Sequence, residues 1–206
     1  MATAMNDLVL SIITTLDVAI DHYKVPEDDK GLREAFHESG RGLPLIRTAL
    51  HHVQSQLGRR QLTGNPERAL ASLRECIPKG ETSERIFNAV AQAPETSRFE
   101  AYKAAVRQEG KGRLIEELLV GMMTGVCDVA EDLAIDDQVK ALREAIERLS
   151  QMEPSVPREE SGAIFNNYGS GEMLNAPYGT INMSSGTGPQ FPGATFSGSV
   201  SFGNTT

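Results

Sequence analysis

Along the first three quarters of the chain, apolar side chains return every three or four residues. Val9, Ile12, Ile13, Leu16, Ile20 and Tyr23 fall on one face of a predicted helix over about residues 5–23. Pro26 and the acids after it break the chain. A second helical region is predicted from near Asp29 to about Leu57, with Leu32, Phe36, Leu43, Ile46, Leu50, Val53 and Leu57 as its apolar face. Pro44 should kink or divide it, since proline removes a backbone donor and clashes with the preceding turn. Asn65-Pro66 reads as a cap followed by proline at the first helical position. That helix carries Ala69, Leu70, Leu73 and Ile77, and Ser83–Ala91 reads as a short helix of its own. Phe99–Gln108 is helical and is stopped by Gly110 and Gly112. Arg113 to about Leu133 is the most apolar helix, and Gln138–Met152 is the last. With no strand pattern in this part, the expectation is an all-α bundle of six or seven helices.

Beyond Gly162 the period changes. In Ala194–Phe202, Phe196, Val200 and Phe202 share one side of an extended chain, while Thr195, Ser197, Ser199 and Ser201 share the other. An approximate echo runs through this stretch. Phe165-Asn166 returns as Ile181-Asn182, and Gly169-Ser170-Gly171 returns as Gly186-Thr187-Gly188, one residue out of step. Charge marks the same division. Residues 1–160 hold all 20 Lys and Arg and 27 of the 28 acids; only Glu172 lies beyond. Met152–Gly162, with two prolines and mixed charges, reads as the junction. The expected organisation is therefore a helical bundle over 1–152, a linker over 153–161 and a Gly/Asn/Ser-rich segment over 162–206.

The formal net charge is −8 and the pI about 5.1, which argues against a dedicated nucleic-acid binder. Cys76 and Cys127 have no metal-site spacing and make no disulfide framework, so they read as reduced packing residues of a cytoplasmic protein. Leu8–Leu16 and Leu118–Cys127 are uncharged, but each is far shorter than the roughly 20 apolar residues of a spanning helix. Neither predicts a constitutive membrane anchor.

No catalytic constellation emerges. Gly110-Lys111-Gly112 lacks both the leading glycine and the following hydroxyl of a phosphate loop, and there is no Gly-x-Ser-x-Gly nucleophile elbow. His51 and His52 are adjacent on a helix and point about 100° apart. With His22 and His37 they read as surface or half-buried histidines rather than ligands, and no metal or cofactor is expected. The pairs Glu116-Glu117 and Asp136-Asp137 read as solvated faces and caps. Gly121-x-x-x-Gly125 lets two helix backbones approach closely: a tight contact in the bundle, or a helix able to change partners or meet a membrane.

The last segment holds two readings. As a monomer it has too little apolar surface to offset its ordering entropy and should be disordered. Its asparagines, aromatics and missing charge would also suit parallel, in-register cross-β stacking, where any charge would recur about every 4.8 Å. Glycines at 169, 171, 186 and 188 would allow tight turns between short strands. Otherwise it is a flexible spacer.

Two stretches resemble known families. Gly31-Leu32-Arg33-Glu34-Ala35-Phe36, then Gly42-Leu43-Pro44-Leu45-Ile46, then Phe99–Val106 with Gly110-Lys111-Gly112, and finally Gln138–Ile146 ending at Pro154-Ser155-Val156-Pro157, resemble the fungal SesA-type domain in that order. That domain occurs at the N-terminus of NACHT and related P-loop NTPases. Phe165, Asn166, Asn167, Gly169, Ser170, Gly171, Asn175, Gly179, Asn182 and Gly186–Phe191, which includes Gly188 and Gln190, resemble the sigma-type amyloid motif, also called SesB-type. The resemblance implies a non-enzymatic effector of fungal programmed cell death or heterokaryon incompatibility. A receptor with an NTPase core and a similar motif would template the tail through the matched positions, Phe191 among them, with Ile181 of the echo as a further assembly position. The partners implied are other copies of this chain, stacked through their tails, and that receptor. By analogy with HeLo-type effectors, membrane lipid after activation would be a further partner, met through the face Val9, Ile12, Ile13, Leu16 and Ile20. The alternative is a helical adaptor that docks a P-loop NTPase and carries a merely flexible tail.

Overall fold

The computed structural model of the chain describes residues 2–57 and 65–157. The chain divides into two units, 1–161 and 162–206, and the account below concerns the first. The positions proposed above for assembly, from Phe165 to Phe191, lie outside the described residues.

The described residues form six α-helices and no strand: α1 Ala2–Tyr23, α2 Glu34–Leu57, α3 Pro66–Gln92, α4 Arg98–Gln108, α5 Ile115–Asp132 and α6 Lys140–Gln151. Single 3₁₀ turns precede α4 and α6. This is the all-α bundle that the apolar period predicts. α3 lies between α1 and α5 and also carries α4, while α2 packs on α1, α5 and α6.

Two boundaries differ from expectation. α2 begins at Glu34, not near Asp29. Residues 24–33 form turns instead, pinned by Asp29: its Oδ1 accepts the Gly31 amide at 2.8 Å and its carbonyl accepts the Leu32 amide. Side chains of this kind compete with helix formation by bonding nearby backbone. The two helices expected at Pro66–Ile77 and Ser83–Ala91 are one helix of 27 residues, continuous through Pro78 and Gly80. Leu73, Cys76, Gly80, Ser83, Phe87 and Val90 keep helical spacing and are all buried, so burial against α1 and α5 outweighs the local cost of the proline. Pro44 likewise lies inside an undivided α2. The start of α3 is as expected: Asn65 Oδ1 accepts the amides of Glu67 and Arg68 at 3.0 and 3.3 Å, with Pro66 behind it.

Four rings, one from each of the first four helices, meet at the centre of the core. Phe36 lies 5.0 Å from Tyr102 and 5.3 Å from Phe87, and Tyr23 lies 5.6 Å from Phe87. The pairs are tilted or edge-on, the arrangement the ring quadrupoles favour. Where α3 crosses α5, a methyl on Gly125 would stand 3.0 Å from Cys76 Sγ and 3.5 Å from the Ser72 carbonyl. The Gly-x-x-x-Gly stretch is therefore a close helix crossing within the bundle.

Candidate functional site

The first-helix face is core. Val9, Ile12, Ile13 and Leu16 are buried and Ile20 is half-buried, and α1 packs them against α2 and α3. The helix is longer than its uncharged run, and by length and composition alone Thr3–Tyr23 would suffice to cross a membrane. In this fold its apolar stripe faces protein.

The histidines do not converge. His51 and His52 are exposed on α2. His22 is half-buried beside Glu84, with Nε2 3.1 Å from the carboxylate. His37 is buried, at 7% exposure, against expectation: its ring packs edge-on to Phe36 and its Nε2 lies 2.9 Å from the Asp29 carbonyl. Among the described residues, no three His, Cys, Asp or Glu side chains gather as a metal site would need. Both cysteines are buried and unbridged, and burial pushes the Cys76 thiol up to about 11 and raises that of Cys127 as well.

The expected surface pair Glu116-Glu117 splits. Glu117 is a cap, its Oε2 accepting the Leu114 amide at 3.2 Å. Glu116 is buried instead, at 8% exposure, and anchors a polar cluster. Its Oε1 accepts the Ser155 amide at 2.8 Å and its Oε2 accepts the Ser155 hydroxyl at 2.6 Å. Since the single Ser155 hydroxyl proton goes to Glu116, Tyr102 Oη must donate to Ser155 Oγ, at 2.5 Å. Tyr102 Oη in turn accepts the Ile115 amide at 3.3 Å. Burial, with the Glu116 carboxylate close by, pushes the Tyr102 hydroxyl well above the usual phenol range, so it keeps its proton. The cluster ties α4 and the first turn of α5 to a strap that follows α6.

That strap is the described part of the expected linker, residues 153–157. Ser155 and Val156 are buried, at 0% and 6% exposure, and Arg33 Nη1 donates to the Pro154 carbonyl at 3.2 Å. Sequence reasoning missed it because serine between two prolines carries the local signature of a linker, and its partner lies 39 residues away. The signal present was Glu116, an acid one position off the cap on the most apolar helix.

A second cluster holds the α1–α2 connection. Asp29 Oδ2 pairs with Arg98 Nη1 at 3.1 Å, with Asp29 buried. Nearby, Glu38 accepts Arg148 Nε at 2.7 Å and Arg41 Nε at 3.1 Å. Burial alone would raise the Glu38 carboxyl, but these two guanidinium bonds win and hold it below its ordinary value.

Two open surface hollows accompany these features. One, of about 350 Å³, is lined by Glu27–Lys30, Glu34, His37 and Arg41; the other, of about 450 Å³, lies between α3 and α4 over Ala89, Ala101 and Ala104. Neither is lined by Ser155, Glu116 or Tyr102. A hydroxyl with no exposed surface, beside a carboxylate and no histidine, holds structure together and attacks nothing.

No curated protein and no solved structure matches the chain. Two family models do. Residues 162–203 match the Sigma domain found on NACHT-NTPases. Residues 9–129, from the first turns of α1 almost to the end of α5, match the N-terminal domain on NACHT and P-loop NTPases. With more than half its length so matched, ahead of the Sigma region, the chain belongs to the SesA family.

Proposed function

We propose that this chain is a non-enzymatic signalling effector, activated when a NACHT-type receptor carrying a similar segment templates cross-β assembly of residues 162–206. One observation carries the reading: a SesA domain and a Sigma domain, both named for their place on NACHT NTPases, occur on a single chain. Composition supports it. The 46 residues from Ser161 hold one charge, Glu172, so in-register stacking repeats little like-charge repulsion. The helical unit supports it by what it offers: a packed core with no convergent catalytic groups among the described residues. The output is then clustering of the helical domain, in keeping with a role in programmed cell death or incompatibility.

The test uses the full chain together with a peptide spanning Pro157–Thr206. At neutral pH the peptide should give spacings of about 4.7–4.8 Å and roughly 10 Å in fibre diffraction. Its fibrils should abolish the lag of the full chain. Deleting 161–206 should abolish seeding and leave helicity unchanged. A peptide that stays soluble and cannot be seeded over weeks overturns the proposal. The SesA match would then favour an adaptor that docks a P-loop NTPase through its helical surface.

A further inference from the structure

The segment between the helical bundle and the tail is not slack. Among the described residues, no backbone–backbone hydrogen bond reaches 153–157. The strap is held by side chains: two hydrogen bonds from Ser155 to Glu116, one from Tyr102, one from Arg33 to the Pro154 carbonyl, a loose ion pair of Arg33 with the exposed Glu153 at 3.8 Å, and the buried Val156. Glu116 and Tyr102 sit on helices that are packed without the strap's help, and Arg33 stands immediately before α2. When the strap lifts, Glu116 meets water and Tyr102 keeps the Ile115 amide. Opening there breaks no helix, so the strap sits at the low end of the local-stability range.

Its position makes this matter. We propose that residues 153–157 are a clasp, released when the tails of neighbouring chains stack, and that this release carries tail assembly into the helical domain. The proposal rests on the assembling reading of residues 162–206 and adds a cause. Stacked chains would be spaced by about 4.8 Å, or about twice that with two rungs each. A folded domain of this size is roughly 40 Å across. Domains so crowded must splay outward, each on its own linker. From Pro157 to Gly162 the chain spans only five residues, at most about 18 Å when fully extended. Lifting 153–157 adds a comparable length. The first segment to yield under that pull is the one held by four hydrogen bonds, one loose ion pair and one valine. Its departure uncovers the slot formed by Tyr102, Ile115 and Glu116, where α4 meets α5.

Hydrogen exchange on the full chain, read by mass spectrometry before and after seeding with its own fibrils, tests this. Seeding is scored in the same samples by loss of the lag. The expected result is at least about tenfold faster exchange in fragments covering 150–157 and 112–118, with α1 and α3 still protected. A second chain, with about twelve Gly/Ser residues inserted after Pro157, should assemble with its clasp still protected, because the added slack relieves the pull. Ser155→Ala should open the clasp in the unassembled chain, again about tenfold in exchange at 150–157. Assembly with the clasp still protected overturns the inference and leaves the assembling reading standing. Equal loss of protection in the inserted chain overturns the crowding mechanism. A full chain that never assembles overturns the assembling reading, and the clasp's trigger with it.

Discussion

Gly40 offers the sharpest test of the packing. A methyl group at this position, midway along α2's first half, would stand 2.2–2.4 Å from three carbons of the Tyr23 ring. Carbon atoms prefer about 3.5–4.0 Å, so the ring would have to move by more than 1 Å. It has nowhere to go: its hydroxyl donates to the His37 carbonyl at 3.1 Å, and its ring is set edge-on against Phe87. Overpacking of this kind costs about 1–3 kcal/mol, and a strained Tyr23 bond adds about 1 kcal/mol. Alanine's better helix propensity returns about 1 kcal/mol. Gly40→Ala should therefore lose about 2 kcal/mol, a fall in Tm of roughly 4–8 °C. Gly42→Ala is the internal control. It has the same propensity gain two residues away, but its methyl would meet only the ε-methyl of Met123, the flexible end of a side chain that repacks easily. It should stay within about 1 kcal/mol of the parent. The assay is thermal and urea unfolding followed by helical circular dichroism. Equal stability of the two variants would refute the argument, as would a failure of Tyr23→Leu to soften the Gly40→Ala loss in the double variant.

Three further outcomes are expected. α5 ends in a Schellman turn, with the Ile135 amide on the Ala130 carbonyl and the Ala134 amide on that of Glu131, yet the left-handed position is Ala134 at φ 54°; Ala134→Gly should raise the urea midpoint by the equivalent of about 0.5–1 kcal/mol with no change in slope. Glu38 titrates below its ordinary 4.5 in the folded chain, so its contribution is full above that value and is lost as pH falls through the depressed one. Glu38→Gln should cost about 1 kcal/mol at neutral pH, discounted for the half-exposed arginines, and should flatten the acid limb of the stability curve. Neither thiol should react with a disulfide reagent at pH 8 in the native chain, since both are buried and raised; both should react in denaturant, and fast native labelling of Cys76 would contradict the α3–α5 packing.

Where local pattern and packing agree, the chain is legible from its residues. α1, α4, α5 and α6 begin and end within a few residues of the apolar periods, and Asn65-Pro66 opens α3 as its chemistry demands. The misreadings have one physical source. Pro78 and Gly80 are breakers by local rule, but two flanking helices bury that stretch and carry it through. Asp29 looks like one acid among several, and its role depends on Arg98, 69 residues on. Ser155 and Glu116 look like linker and surface until they are seen together. Periodicity reports which face is covered; it does not report which distant polar group waits beneath.

The burial of α1 sets a limit on any later act of that helix. Met5, Val9, Ile12, Leu16 and Tyr23 are all at or below 4% exposure. Removing such a set from the core forfeits on the order of 10 kcal/mol, comparable to the whole stability of an ordinary domain, about 5–15 kcal/mol. A bundle that surrendered α1 to a bilayer would not wait intact for its return. Delivery of that helix would be irreversible, spending one molecule per event, and a response built on it would be graded by how many chains were consumed.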